Sequence, residues 1–243
     1  MKFTVTLLFM NHDMNLVFIH GSGCSHHVWS HQVSFFQNSV AVDLPGHPEG
    51  DALLSVTAMS QWVLTTLEKQ NLDNVVLVGH SLGGAVVLQA ALAHSHRVKA
   101  LVLIGSGSRL KVLPQFLSAL TEIVEKKGPL PEFLLTPNQG IDEPLRTQIN
   151  TAMKENGSGV MLTDFLACND FDVMNELSNI TIPVQLIVGS EDVMTPVKYS
   201  RFLNEQLPNA SLSVVDGATH MVFAEQPDSV NQCIQRFINS ISN

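Results

Sequence analysis

Ser81 is the residue whose sequence surroundings are most typical of a catalytic nucleophile. A β-branched run at residues 75–78 leads into Gly79-His80-Ser81-Leu82-Gly83, and an apolar, alanine-rich segment follows at residues 85–93. The pattern G-x-S-x-G between a strand and a helix predicts a sharp turn that exposes the serine hydroxyl. Glycines are needed on both sides because side chains there would crowd the crossing of strand and helix. Such a serine can attack an acyl carbon if a base lies within hydrogen-bond reach.

His220 and Asp192 are the predicted base and its orienting carboxylate. Residues 184–188 and 211–215 are typical of buried strands, and these two side chains stand in the loops that follow them. The C-terminal ends of neighbouring parallel strands meet at one edge of a sheet, so we expect both loops beside Ser81. The chain order serine, aspartate, histidine accompanies this serine turn in known enzymes. Ser81, Asp192 and His220 are therefore the predicted catalytic residues.

Other carboxylates compete with Asp192 for the orienting role. One of them, Asp216, could instead end its strand and fix the following turn through a local hydrogen bond. Asp192 is favoured because its loop follows the strand next to that of the histidine. The alternatives left open are Glu191, Asp216 and, as a weaker choice, Asp170 or Asp172.

A second loop can supply backbone donors for an oxyanion. The tetrahedral intermediate of acyl transfer needs two N–H groups aimed at its charged oxygen. The N–H of Leu82, in the first turn of the helix after the serine, is one predicted donor. The predicted strand at residues 16–19 ends in His20-Gly21-Ser22-Gly23, where glycines let the backbone approach a substrate. The N–H of Ser22 is the other predicted donor, although the loop could also be a plain tight turn.

Strands alternate with helices along most of the chain. This order predicts an α/β fold with a mostly parallel central sheet and helices on both faces. The periodicity predicts strands at residues 3–10, 16–19, 40–42, 75–78, 100–104, 183–188 and 211–215. It predicts helices at residues 26–37, 57–69, 85–93, 114–127, 143–155, 159–167, 197–206 and 229–241, with Ser55 or Thr57 capping the second.

One long segment interrupts the alternation. Between residues 104 and 182 the pattern contains helices but no strand, with glycine and proline breaks such as Gly157-Ser158-Gly159. We interpret residues 107–180 as a helical cap inserted in a core of residues 1–106 and 181–243. Four apolar residues of this segment, together with Met221, could line an acyl pocket, or could only pack the cap onto the core. The four are Phe116, Leu120, Met161 and Phe165.

Composition excludes several classes of partner. The chain of 243 residues has a formal net charge of −9 and no basic run, which argues against nucleic acid and anionic membranes. No run approaches the ~18 apolar residues of a membrane span, and residues 3–10 lack the features of a signal peptide. Three cysteines without metal or redox spacing suit a reduced, cytoplasmic setting. A monomer and a homodimer are both compatible with the sequence.

Two other kinds of chemistry are less well supported. His26, His27 and His31 lie close together, but no acidic ligand accompanies them, so a metal site is not expected. Cys24 and Cys168 stand in apolar or small-residue surroundings that suit packing better than nucleophilic attack. Surface solvation is the expected role of Arg109 and Arg146, with pairing to a substrate carboxylate as the alternative.

These motifs together resemble the α/β-hydrolase superfamily, and the likeness runs from about Leu16 to the C-terminus. The segments fall in family order: His20-Gly21-Ser22-Gly23, Asp43-Leu44-Pro45-Gly46-His47, Gly79-His80-Ser81-Leu82-Gly83-Gly84, residues 189–192 and Gly217-Ala218-Thr219-His220. The chain is most similar to small capped serine esterases, such as carboxylesterases, enol-lactone hydrolases and acyl-carrier methyl esterases. The loop after His47 departs from the family pattern, reading Pro48-Glu49-Gly50-Asp51.

The resemblance implies hydrolysis of a small-molecule ester through an acyl-enzyme, without cofactor or metal. Ser81 would attack, His220 would take its proton, and Asp192 would hold the imidazole. Activity should then fall below neutral pH as the histidine base becomes protonated. A thioesterase, a lactonase, a small-molecule receptor that keeps the triad, and a C–C hydrolase or lyase on the same fold remain open alternatives.

Overall fold

In the part of the chain that the structure describes, six parallel strands form one sheet. The computed structural model describes residues 14–242, so the strand predicted at residues 3–10 lies outside the described residues. The strands are β1 (Asn15–Ile19), β2 (Ser39–Val42), β3 (Val75–His80), β4 (Val98–Ile104), β5 (Val184–Gly189) and β6 (Ala210–Val215). Their spatial order in the sheet is β2-β1-β3-β4-β5-β6. The predicted parallel α/β fold is confirmed.

Eight α-helices connect and cover these strands within the described residues. They are α1 (Ser30–Phe35), α2 (Val56–Lys69), α3 (Leu82–Leu92), α4 (Pro114–Glu125), α5 (Leu145–Asp170), α6 (Val197–Gln206), α7 (Val222–Glu225) and α8 (Pro227–Ile241). Short 3-10 helices lie at His26–Trp29, Glu132–Asn138 and Leu177–Asn179. Ser55 caps α2, because its side chain accepts the N–H of Ala58 at 3.1 Å.

The sheet separates two apolar clusters, one on each face. Successive residues of a strand point to opposite faces, so Leu77 belongs to one cluster and Val76 and Val78 to the other. Helices α2, α3 and α6 contribute to the first cluster, and α8 contributes to the second. Nearly every residue of α3 is buried, as its apolar sequence predicts. Burial on both faces makes β3 a rigid support for the turn at its C-terminal end.

The region of the first predicted helix differs from its prediction. A single helix was expected over residues 26–37, but a 3-10 turn precedes α1, and α1 ends at Phe35. Phe36 has extended backbone angles, and its ring packs near Phe18 at 6.4 Å between centroids. Tertiary packing of this aromatic side chain against β1 therefore overrides the helical periodicity. The short helix α7, between His220 and α8, was not predicted either.

Residues 107–180, here named the helical segment, contain α4 and α5 and no strand longer than a single bridge. The backbone of α5 is broken at Gly157, with φ 80° and ψ 176°, where the sequence predicts a break between two helices. The division into a core and an inserted cap at residues 107 and 180 stays a prediction. In the part of the chain that the structure describes, every helix is too short or too polar to cross a membrane.

Candidate active site

Ser81 lies in a strained turn at the C-terminal end of β3. Its φ of 53° and ψ of −115° lie in a region that side-chain-bearing residues rarely adopt. A Cβ on Gly79 would lie 2.2 Å from the carbonyl oxygen of Gly83, and a Cβ on Gly83 would lie 2.2 Å from that of Ile19. Ser106 Oγ donates to the Ser81 carbonyl at 2.8 Å. Gly79 therefore permits the close crossing of β3 and α3, and Gly83 permits the close approach of α3 to the end of β1.

Asp192 and His220 are hydrogen-bonded to each other, from the loops after β5 and β6. His220 Nδ1 lies 2.9 Å from Asp192 Oδ2, and both side chains are buried. Asp192 Oδ1 accepts the N–H groups of Met194 at 2.9 Å and Thr195 at 2.8 Å. Burial raises the pKa of Asp192, but hydrogen bonds from His220 and Thr195 and the histidine's charge outweigh it, lowering that pKa to about 2. The carboxylate is thus ionised at neutral pH.

The competing carboxylates lie elsewhere. Asp216 is exposed and accepts a 3.5 Å hydrogen bond from Ser190, and Glu191 is exposed beside Asp192. Asp172 lies 3.9 Å from Arg109 at the surface, and Asp170 is exposed at the end of α5. Among residues 14–242, Asp192 is therefore the one carboxylate that bonds to His220.

His80, the residue before Ser81 at the end of β3, contacts His220. The ring of His80 lies 4.6 Å from that of His220, and its Nε2–H donates to the His220 carbonyl at 3.1 Å. A Cβ on Gly105, at the end of β4, would lie 3.2 Å from Asp192 Oδ2 and 3.4 Å from His220 Nδ1. Within the described residues, His220 Nε2 and Ser81 Oγ form no hydrogen bond. Such bonds commonly tighten only when substrate binds.

The glycine loop, residues 20–23, lies against this turn. A Cβ on Gly21 would lie 3.2 Å from Ser81 Cβ, so the loop backbone passes close to the serine. The N–H groups of Ser22 and Leu82 donate to no acceptor in the part of the chain that the structure describes. Two unpaired N–H groups on either side of a serine could bind a developing oxyanion.

The predicted pocket residues occupy different environments. Leu120 and Met221 are buried, Phe165 is partly buried, and Phe116 is 38% exposed with its ring 5.7 Å from that of Phe133. Met161 packs on the glycine loop, because a Cβ on Gly23 would lie 2.2 Å from its Cε. Their contact with a substrate stays a prediction.

The structure favours packing and surface roles for the residues of the alternative chemistries. Within residues 14–242, no group of three or more His, Cys, Asp and Glu is arranged to hold a metal ion, and His26 bonds instead to Asp43 at 2.7 Å. Burial raises the pKa of Cys24 and of Cys168 to about 12, so both remain protonated thiols. Arg146 bonds to Glu143 at the surface.

Sequence reasoning missed several residues that support the site. Thr195 Oγ1 donates to Asp192 Oδ2 at 2.8 Å, and Glu225 of α7 accepts the N–H of Thr219 at 2.7 Å, which fixes the loop before His220. His47 and Asp164, 117 positions apart, form a buried pair at 2.9 Å. The position of Thr195, three residues after an aspartate in a loop, was an available signal, but nothing local links His47 to Asp164.

Comparisons with known proteins agree with the observed fold. The profile of the alpha/beta hydrolase family matches residues 16–232. Protein ABHD8 of Homo sapiens is 27% identical over 93% of this chain, and the chain spans about half, 55%, of that relative. Pimeloyl-[acyl-carrier protein] methyl ester esterase of Yersinia enterocolitica is 26% identical, covering 93% of each chain.

Solved structures give the same result. The structure of a thermophilic esterase is 30% identical, with a TM-score of 0.80, covering 93% of this chain and 90% of that one. A lipase-esterase related protein from Clostridium acetobutylicum is 27% identical, with a TM-score of 0.80, covering 92% and 94%. The chain belongs to the alpha/beta hydrolase family.

Proposed function

We propose that this protein is a serine hydrolase that cleaves a carboxylic ester with a small to medium apolar acyl group. The observation that carries the proposal is the buried His220–Asp192 pair, which contacts His80, the residue before Ser81 in its strained strand-to-helix turn. The similar thermophilic esterase and the methyl ester esterase from Yersinia enterocolitica support ester cleavage over other hydrolyses.

In the proposed mechanism Ser81 Oγ attacks the acyl carbon while His220 Nε2 takes its proton. Asp192 accepts the Nδ1–H, which keeps the proton-accepting lone pair on Nε2 and stabilises the imidazolium that forms. The N–H groups of Ser22 and Leu82 bind the oxyanion of the tetrahedral intermediate. The histidine returns its proton to the departing alcohol, and water then releases the acid from the serine by the same steps.

Fluorophosphonate labelling and a p-nitrophenyl ester series from acetate to decanoate test this proposal. We expect labelling at Ser81, turnover that peaks at one chain length, and at least about a thousandfold loss in Ser81→Ala. Ser60→Ala is the matched control, because Ser60 is a buried serine on α2 that donates to Thr57.

Each negative result points to a different alternative. Labelling without ester turnover would contradict the esterase and favour a receptor or a specialised substrate such as a thioester or lactone. No labelling, or full activity in Ser81→Ala, would refute the nucleophile itself.

A further inference from the structure

The glycine loop is held by side chains of α5. Asp164 Oδ2 accepts the N–H of Gly23 at 2.8 Å, and Asn156 Nδ2 donates to the carbonyls of Gly23 and Cys24 at 3.0 and 2.9 Å. Met161 fills the space beside Gly23. The loop therefore owes part of its conformation to the helical segment rather than to the sheet.

The Asp164 carboxylate is itself held by a charged histidine. His47 Nε2 lies 2.9 Å from Asp164 Oδ2, and Nδ1 lies 3.0 Å from the carbonyl oxygen of Leu44. A carboxylate and a carbonyl only accept hydrogen bonds, so both ring nitrogens donate, as only the imidazolium form can. Burial alone would lower the pKa of His47. The hydrogen bond to Asp164 and the charge of that residue outweigh this effect, so the pKa of His47 is raised overall.

Packing alone does not account for a carboxylate at this position. The Asp164 side chain is fully buried, and its Oδ1 has no hydrogen-bond partner among the described residues. Burying an ionised group with one oxygen unpaired costs stability that an apolar residue of similar size would not. The arrangement is typical of groups kept for a functional reason.

The opposite end of the glycine loop is held by a neutral histidine. His20 Nδ1–H donates to the carbonyl of Gly21 at 2.9 Å, and Nε2 accepts the N–H of Leu44 at 3.1 Å. Burial and the nearby charge of His47 lower the pKa of His20 to about 4. The loop is thus fixed on both sides of Ser22, and the Ser22 N–H is left without an acceptor among the described residues.

We propose that Asp164 is a positioning residue: held by His47, it fixes Gly23 and so aims the Ser22 N–H at the acyl oxygen. This inference rests on the proposed function, in which Ser22 is an oxyanion donor. It makes docking of the helical segment a requirement for a complete oxyanion site, although no group of that segment reacts with the substrate.

Asp164→Ala tests the inference, with Asp164→Asn as the conservative variant. Alanine removes the acceptor for Gly23, whereas an amide oxygen can still take that place. Because removing an oxyanion donor outright costs about 10²–10³ in kcat, a misaimed donor should cost about 10- to 100-fold. We expect that fall in kcat for Asp164→Ala with KM within about threefold, and recovery to within about threefold of wild type in Asp164→Asn. Asp170→Ala, an exposed carboxylate on the same helix, is the matched control.

A second readout separates positioning from a merely structural role. A trifluoromethyl ketone forms an adduct whose oxygen occupies the oxyanion site, so its affinity should fall by the same factor as kcat/KM in Asp164→Ala. Wild-type kcat per folded molecule and unchanged ketone affinity would overturn the inference, even if the melting temperature fell. If Asp164→Ala does not fold, His47→Gln replaces it, with an expected threefold to tenfold loss of both quantities; unchanged values would overturn the inference.

The two proposals fail in different ways. If wild-type protein is not labelled at Ser81 by fluorophosphonate, the proposed function fails and this inference falls with it. If wild type is labelled and hydrolyses esters but the Asp164→Ala values match it, only the inference fails.

Discussion

Asp192→Asn is a change of one atom whose effect follows from the surrounding hydrogen bonds. The carboxylate accepts four of them: Met194 N–H and Thr195 N–H on Oδ1, and Thr195 Oγ1 and His220 Nδ1 on Oδ2. Because two backbone N–H groups face the Oδ1 position, the amide oxygen of asparagine must remain there. The amide N–H2 group then faces His220 Nδ1, where the carboxylate had accepted a hydrogen bond.

The predicted consequence is that neutral His220 carries its proton on Nε2 instead of Nδ1. To accept from the amide, His220 Nδ1 must give up its proton, which moves to Nε2 on the side of Ser81. A protonated Nε2 cannot take the serine proton, and the matching substitution in another Ser-His-Asp enzyme lowers kcat about 10⁴-fold. We expect a loss of roughly 10⁴-fold in kcat, or about 5.5 kcal/mol of transition-state stabilisation, with a small change in KM.

The same substitution should also change how the free energy of unfolding depends on pH in the acid range. Asp192 titrates at about 2 in the folded protein, against an ordinary value of 3.8. A carboxyl whose folded pKa is lowered stabilises the fold above its unfolded pKa and loses that contribution as pH falls through the folded pKa. The shift corresponds to roughly 2 kcal/mol, present at pH 7 and lost between about pH 4 and 2. Asp192→Asn should lack this part of the pH dependence.

Steady-state kinetics at neutral pH and urea unfolding from pH 7 to 2 measure both effects. Asp216→Asn is the matched control, since this exposed carboxylate lies in the neighbouring loop and bonds only weakly to Ser190. A kcat for Asp192→Asn within tenfold of wild type would refute the tautomer argument. Equal losses in both variants would show that the loops, rather than this hydrogen bond, set the activity.

Two further predictions concern buried titratable groups. The raised pKa of His47 means that its pair with the buried carboxylate stabilises the fold at low pH, and that this contribution is lost as pH rises through the folded pKa. Urea unfolding should therefore show a smaller alkaline decline in His47→Gln than in wild type; identical declines would contradict the charged pair. The thiols of Cys24 and Cys168, with pKa raised to about 12 by burial, should resist iodoacetamide at pH 8 until the protein unfolds. Mass spectrometry of the native protein measures the rate of alkylation. A rate at either thiol equal to that in the unfolded protein would contradict its burial.

Local pattern was sufficient to predict the six described strands and the positions of the loops that follow them. The β-branched runs that became β3 and β5 are buried on both faces, and short apolar runs of this kind are typical of strands in a parallel sheet. The Asp192–His220 contact was predictable because parallel strands end at one edge, which brings loops 28 residues apart in the chain to hydrogen-bond distance. The break at Gly157 was predictable from glycine itself.

Contacts between the helical segment and the core were not predictable in this way. Nothing in the periodicity of α5 indicates that Asp164 faces His47 rather than solvent, since an isolated aspartate in a helix is ordinarily exposed. The short helix α7 and the 3-10 turn before α1 depend on tertiary partners, such as Glu225 with Thr219 and Phe36 with Phe18. These features follow from docking of separate segments, which a single sequence pattern does not encode.

Four buried histidines illustrate how partners decide the role of a residue type. Among the described residues, no carboxylate bonds to the ring of His20 or His80, and burial lowers the pKa of each. Both are therefore neutral side chains that hydrogen-bond to the backbone. His47 and His220 each bond to a buried aspartate at 2.9 Å. The His220–Asp192 pair contacts His80, the residue before the predicted nucleophile, and the His47–Asp164 pair contacts the predicted oxyanion loop. A buried imidazole that must carry positive charge, permanently or during turnover, requires such a carboxylate. Under the two proposals the aspartates have different roles: Asp192 assists proton transfer, and Asp164 fixes the geometry of the oxyanion site.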